Sequence, residues 1–152
     1  MTEKATFAAG CFWGVEAAFR RLPGVVTTRV GYTGGHVAFP SYREVCSHRT
    51  GHAEAVEVTF DPAQISYDEL LGVFWRKHNP RSRTRQGFDV GSQYRSAIFF
   101  HSPEQEAAAR ASKGALQAEL HWPLKIRTQI EPAATFYEAE DHHQQYLEKR
   151  GR

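Results

Sequence analysis

The residue with most chemical potential in this chain is a cysteine flanked by aromatics and glycines: Gly10-Cys11-Phe12-Trp13-Gly14. The apolar segment before it, residues 5–9, reads as a short buried strand. After it, Phe12, Val15, Phe19 and Leu22 recur at the spacing of one helix face. Cys11 therefore falls where a strand hands over to a helix N-terminus. Unpaired backbone N–H groups and the positive end of the helix dipole meet there, and both favour a thiolate. An ordinary thiol is only a few per cent thiolate at pH 7, so a pKa near 7 would make about half of it nucleophilic. A buried cysteine is more often an inert small hydrophobe. An inert one has no need of a glycine on each side, which is what a sharp turn or a close ligand approach requires.

A second candidate is a carboxyl. In the run from Glu54 to Phe60, Glu54, Val56, Val58 and Phe60 share one strand face, and Ala55, Glu57 and Thr59 share the other. Glu57 lies with the polar set. Glu54 lies with the apolar set, where burial would raise its pKa and keep it a proton donor near neutrality. The alternative is that Glu54 stands at the strand end and turns into solvent.

The elements that must hold these groups follow in order. Pro23-Gly24 makes a turn, and residues 25–32 read as a strand. Residues 33–52 are rich in Gly, Ser, His and Arg with little periodicity; a loop of this length in a compact domain is usually functional. It carries Tyr42, Cys46, His48 and His52. Ser66-Tyr67-Asp68-Glu69 is a capping box opening a helix that ends at Asn79-Pro80. A second irregular loop, 81–91, carries Asp89 and is followed by Gln93-Tyr94-Arg95-Ser96 and a strand over 97–100. Ser102-Pro103 starts a helix reaching about Leu120. Residues 125–130 alternate as a strand, and a last helix is expected from Glu138 onward. Glu16 and Arg20, four apart on the first helix, are placed to form an ion pair. The order predicts an α/β two-layer sandwich. Its mixed or antiparallel sheet would have a ferredoxin-like β-α-β-β-α-β core, in one domain over residues 1–152.

Composition narrows the function. The chain has 152 residues, 41% hydrophobic and 24% charged, with a net charge of +2. That balance does not by itself call for nucleic acid or a membrane. No apolar run is long enough to span a bilayer, and Met1-Thr2-Glu3-Lys4 lacks a signal peptide's apolar stretch. Two cysteines are too few for a disulfide framework, so reduced thiols and a cytoplasmic setting are expected. Cys46-x-His48-x-x-x-His52 and His142-His143 invite a metal. However, Gly51 breaks any helix that would align the first set, and adjacent helical residues point about 100° apart, so no metal site is expected. The basic run from Arg76 to Arg85 with nearby aromatics could suit an RNA-recognition module, but the aromatic octapeptide of such modules lacks its glycine here. A solvated basic loop is expected instead.

Taken as blocks, the chain resembles the class A peptide methionine sulfoxide reductases. The similarity runs from Phe7 to Tyr146. It rests on Gly10-Cys11-Phe12-Trp13-Gly14-x-Glu16, Gly31-Tyr32-x-Gly34-Gly35, Thr50-Gly51-His52-Ala53-Glu54, Gln93-Tyr94-Arg95-Ser96 and Ala139-Glu140-x-x-His143-Gln144, in order and at similar spacing. The resemblance implies thiol-dependent reduction of the S epimer of methionine sulfoxide, free or in peptides and proteins, without metal or organic cofactor. It implies that Cys11 attacks the sulfoxide sulfur and is left as a sulfenic acid. Glu54 would act as general acid, Tyr42 and Tyr94 as hydrogen-bond donors to the sulfoxide oxygen, and Asp89 as a carboxylate lining the site. Phe12 and Trp13 would hold the methyl group. An external thiol, from thioredoxin or from glutaredoxin with glutathione, would regenerate Cys11; Cys46 is the internal alternative as resolving residue. Two departures stand out. His78-Asn79-Pro80-Arg81 replaces the family's common His-Asp-Pro-Thr, and no tail cysteine precedes Arg152. Another thiol oxidoreductase or peroxidase working through Cys11 is the competing enzyme reading.

Overall fold

Strand β1 (Glu3–Ala9) lies at the centre of the sheet because both of its faces are apolar. It leads into α1 (Phe12–Arg20), then β2 (Val25–Thr33), α2 (Tyr42–Cys46), β3 (Ala53–Phe60) and α3 (Tyr67–Lys77). A two-stranded hairpin, β4 (Arg85–Gln86) and β5 (Asp89–Val90), follows. After it come β6 (Ser96–Phe100), α4 (Pro103–Ala118), β7 (Gln129–Pro132), β8 (Tyr137–Glu138) and α5 (Tyr146–Lys149). The structure is a computed structural model and describes residues 1–151.

The main sheet has the order β7-β6-β1-β3-β2-β8. Its inner four strands, β6-β1-β3-β2, are antiparallel to their neighbours and carry α1 and α3 between them, which is the ferredoxin-like core the sequence predicts. β7 adds in parallel to β6 at one edge and β8 antiparallel to β2 at the other, so the whole sheet is mixed. Phe7 of β1 marks the helix side. Its ring stacks on Phe19 of α1 at 5.1 Å and on Phe74 of α3 at 5.3 Å between centroids. Val56, Val58 and Phe60 join that core, whereas Ala8, Ala53, Ala55, Ala97 and Phe99 pack on the opposite face. Phe136, in the connection between β7 and β8, packs against that face. No helix among the described residues is long and apolar enough to cross a membrane.

Five sequence expectations change. The loop 33–52 contains α2, started by a capping box in which Ser41 and Glu44 each bond the other's backbone N–H. That is the same S-x-x-E signal that Ser66 and Glu69 show at α3. The strand expected over 125–130 pairs only from Gln129, because Ile126 N–H is taken by the Gln117 side chain and Arg127 N–H by the Pro80 carbonyl. The helix expected from Glu138 is broken up. Glu138 is in β8, residues 141–143 form one 3-10 turn, and Gln145 takes φ 49° before α5. The cause is Glu16. It does not pair with Arg20 but is buried, accepting from Thr28 Oγ1 at 2.7 Å, from Gln145 N–H at 2.7 Å and from Gln145 Nε2 at 3.1 Å. Arg20 turns outward to Glu148 at 2.6 Å. A single buried carboxylate thus pins the C-terminal segment across α1. Glu57, on the face expected to be polar, is also buried, where Arg29 holds it with two donors at 2.8 and 3.1 Å.

Candidate active site

Cys11 is the N-cap of α1, reached through Gly10 at φ 95°. A Cβ on Gly10 would also meet the Gln86 side chain at 3.0 Å. Gly14 is different: it is helical, and a Cβ there would meet only Lys77 at ordinary contact distance. The two glycines around the cysteine therefore have unequal roles. Gly10→Ala is expected to lower stability by ~1–3 kcal/mol through backbone strain. Gly14→Ala should raise it by up to ~1 kcal/mol, the helix preference for alanine. Thermal or denaturant unfolding of the two variants checks both signs.

The backbone N–H groups of the helix start do act on Cys11, but they do not dominate it. Burial pushes the thiol up to about 12, the N–H of Trp13 works against that shift, and the charges of Glu54 and Asp89 add to it. The expectation of a thiolate poised near neutrality is overturned: loss of water around a mostly buried sulfur outweighs the helix terminus. The resting residue is a thiol.

Glu54, the second residue of β3, lies on the helix face and does not turn into solvent; it is 1% exposed. Its Oε1 accepts the Phe12 N–H at 3.2 Å, and its Oε2 is buried with no hydrogen-bond partner among the described residues. Burial raises its pKa to about 8, opposed by the Phe12 N–H and assisted by Asp89. At neutral pH the carboxyl is therefore mostly protonated, with one oxygen uncommitted, next to the residue that follows Cys11. A buried polar atom left without a partner is rare in folded proteins and calls for an explanation.

Tyr42, Tyr94, Asp89 and Cys46 complete the cluster from three further elements. Tyr94 closes the 3-10 turn after the hairpin. Burial first, then the charges of Glu54, Cys46, Asp89 and Cys11, push its hydroxyl up to about 12. Tyr42, at the start of α2, is raised by burial and by the Cys46 thiol beside it, four residues on. Burial also raises Cys46, while Tyr42 works to lower it. Cys46 is thus at the rim of the same cluster, half-buried and free. Asp89 is exposed on β5. Gln86 holds its hairpin in place by accepting from Asn79 N–H and donating to the Asn79 carbonyl, both at 2.8 Å. Asn79 Oδ1 accepts the Arg81 N–H at 3.1 Å, so asparagine supplies the turn acceptor that aspartate would supply there.

The aromatic wall has parts the sequence reading did not assign. Phe12 is fully buried beneath Tyr32, Tyr42 and His143, with ring centroids 5.8, 6.5 and 5.3 Å away. Trp13 is half-buried and stacks flat on Tyr146 at 3.7 Å. Its Nε1–H donates to His143 Nδ1 at 2.9 Å. That bond fixes a neutral His143 with its proton on Nε2, consistent with a pKa lowered by burial and by His142. Glu140 ties the wall to α2 by accepting from the Tyr32 hydroxyl at 2.9 Å and from the Tyr42 N–H at 3.0 Å. Residues 139–144 carry part of the family resemblance, but their place over Trp13 depends on the Glu16 clamp, which no local pattern announces.

The histidines weighed as metal ligands are engaged elsewhere. His52 Nε2 lies 2.7 Å from the Val37 carbonyl, and its Nδ1 accepts the Gly35 N–H. His48 lies 2.6 Å from Gln93 Oε1. Among the described residues no three of His, Cys, Asp or Glu converge as metal ligands would.

A thiol, a carboxyl that keeps its proton at neutral pH, two tyrosine hydroxyls and a tryptophan wall are the parts of a thiol-based oxidoreductase. The family profile described as peptide methionine sulfoxide reductase matches residues 3–152. A relative from Methanothermobacter thermautotrophicus, named peptide methionine sulfoxide reductase MsrA, is 61% identical over 150 residues, 99% of this chain and 89% of its own. The solved methionine sulfoxide reductase A of Corynebacterium diphtheriae superposes with a TM-score of 0.93 at 42% identity, covering 99% of this chain and 76% of that one. Mxr1 from Saccharomyces cerevisiae, in its reduced form, gives 0.91 at 37% identity over 99% of this chain and 87% of its own. Mxr1 in complex with Trx2 gives 0.66 at 28%, over 95% and 84%. The chain belongs to the peptide methionine sulfoxide reductase family.

Proposed function

We propose that the protein reduces methionine S-sulfoxide, free and in peptides or proteins, to methionine, with Cys11 as the nucleophile. Residues 1–152 would act as one catalytic domain in the cytoplasm. The observation that carries the mechanism is the buried Oε2 of Glu54, beside Cys11 and without a hydrogen-bond partner among the described residues.

Glu54 gives its proton to the sulfoxide oxygen as the Cys11 sulfur attacks the sulfoxide sulfur. The carboxylate so formed takes the proton of the Cys11 thiol, which a thiol with a pKa of about 12 would not release unaided. Attack joins the two sulfurs; the oxygen takes this second proton from Glu54 and leaves as water, which breaks the substrate's S–O bond. Water then attacks the Cys11 sulfur and breaks the S–S bond: methionine leaves, Cys11 ends as a sulfenic acid, and the proton released returns to Glu54. Glu54 finishes protonated. Tyr42 and Tyr94 donate to the oxygen as charge builds on it, and Asp89 lines the approach. Trp13 holds the methyl group, with Phe12 supporting it from below. Oxygen toward Glu54 and methyl toward the indole select one epimer.

The sulfenic acid is then reduced by an external thiol, from thioredoxin or from glutaredoxin with glutathione. The likeness to Mxr1, crystallised in complex with Trx2, supports an external protein thiol. Cys46, beside Tyr42, is the alternative resolving residue. One experiment tests the reading: mix the protein with one equivalent of each resolved epimer, without reductant, then add dithiothreitol. The S epimer should yield about one equivalent of methionine, a dimedone adduct on Cys11 and a free Cys46 by mass spectrometry, then turnover with dithiothreitol. Equal reaction of both epimers would overturn the pocket assignment, and a quantitative Cys11–Cys46 disulfide would make Cys46 the resolving residue.

A further inference from the structure

A concavity whose lining does not include Cys11 lies between the loop before β4, the segment 92–96, the outer face of α4 and the stretch 125–130. Its volume is about 630 Å³, within the range of small-molecule sites. Six of its lining side chains are cationic (Arg83, Arg95, Arg110, Lys113, Lys125 and Arg127) and none is acidic. These cations come from four separate pieces of chain, so the convergence is made by the fold and not by one basic run.

We propose that this cleft binds an oligophosphate, such as an inorganic polyphosphate or the phosphate chain of a nucleotide. Two of the cations are built in. Arg95 donates from Nε to Gln129 Oε1 and from Nη1 to the Ser92 carbonyl, both at 3.0 Å, and Lys113 donates to the Thr128 carbonyl at 2.8 Å. Arg110 is partly balanced by Glu106 at 2.8 Å, and the charge of Glu131 reaches Arg95. The exposed side chains of Arg83, on one lip, and of Lys125 and Arg127, on the other, make no hydrogen bond or ion pair among the described residues. Like charges held together repel, and Lys113 already feels it: burial first, then Arg110 and Lys125, lower its affinity for its proton. A multivalent anion relieves that repulsion. Guanidinium forks and ammonium groups arranged around a concave wall suit phosphate oxygens presented in several directions. The volume and the number of cations both exceed what one tetrahedral anion needs, which favours a chain of phosphates.

The test is calorimetric titration of the full chain with inorganic tripolyphosphate, in parallel with orthophosphate, a nucleoside triphosphate and a hexaglutamate peptide. Tripolyphosphate is expected to bind at a single site, more tightly than orthophosphate. The triple variant R83Q/K125Q/R127Q should lose at least tenfold in affinity while melting at or above the wild-type temperature. The control R21Q/R49Q/R76Q removes as much charge elsewhere and should retain binding. Equal affinity for the nucleoside triphosphate would assign recognition to the phosphate chain; tighter binding would add base and sugar contacts in the same cleft. Amide shifts confined to residues 83–84, 92–96, 110–113 and 125–130 would place the ligand there. Absence of binding, equal loss in the control variant, or hexaglutamate binding as tightly as tripolyphosphate would each overturn the proposal.

Discussion

Replacing Cys11 with serine is expected to abolish sulfoxide reduction while leaving the fold intact or firmer. A serine hydroxyl is far too weakly acidic to attack sulfur at neutral pH, and Glu54 cannot make up the difference by accepting its proton. Stability should move the other way. Cys11 occupies the N-cap of α1 without a side-chain capping hydrogen bond. Serine is among the best N-cap residues, and a cap of this kind is worth ~0.5–2 kcal/mol. The variant should therefore unfold at the same or a higher denaturant concentration while its single-turnover methionine yield falls to background. Reduction surviving in Cys11→Ser would transfer the nucleophile to Cys46. A destabilised but active protein would remove both halves of the argument.

The second large effect is at Glu54. Glu54→Gln keeps the shape and the acceptor for the Phe12 N–H but has no proton to give, so single-turnover reduction should slow by ~10²-fold or more. The pH dependence is diagnostic. In the wild type both Glu54 and Cys11 hold protons below about pH 8, so the rate should be level there. Above it Glu54 ionises and the rate should fall, with a limb near 8 that the Gln variant lacks. The same shift acts on stability with a definite sign. The folded-state pKa is raised from 4.5 to about 8. The folded form therefore holds the proton more tightly, and stability falls as pH rises from 4.5 through 8. The Gln variant does not suffer that loss, so its advantage in unfolding free energy should grow with pH and level off above 8. A descending limb that persists in Glu54→Gln would assign it to another group and take Glu54 out of the mechanism.

Both proposed roles fall where stability would choose otherwise: a cysteine at a cap that favours serine, and a carboxyl in a core that favours an apolar side chain. Such conflicts are visible in sequence when they break a pattern. Glu54 breaks the alternation of β3, and Cys11 interrupts the passage from an apolar strand to an amphipathic helix. The four inner strands, α1, α3 and α4 were legible for the complementary reason. Their periodicity, their S-x-x-E or Ser-Pro caps and their Pro-Gly stops are local, and local signals survive without knowledge of contacts.

The sequence by itself determined the core order β-α-β-β-α-β, the cysteine and carboxyl proposed as the reacting pair, and, through ordered blocks of residues, the family. Tertiary structure alone decided the rest. Whether Cys11 is thiolate or thiol depends on competition between a helix terminus and loss of water, and burial cannot be counted from neighbours in the chain. Glu16 looks like half of a surface ion pair, yet it caps the C-terminal segment from inside because its partners, Thr28 and Gln145, are remote in sequence. That clamp breaks the expected last helix and sets His143 and Tyr146 against Trp13. The basic cleft joins Arg83 to Lys113 and Arg127 for the same reason. Electrostatics and desolvation act through space, and only the folded chain says which groups share it.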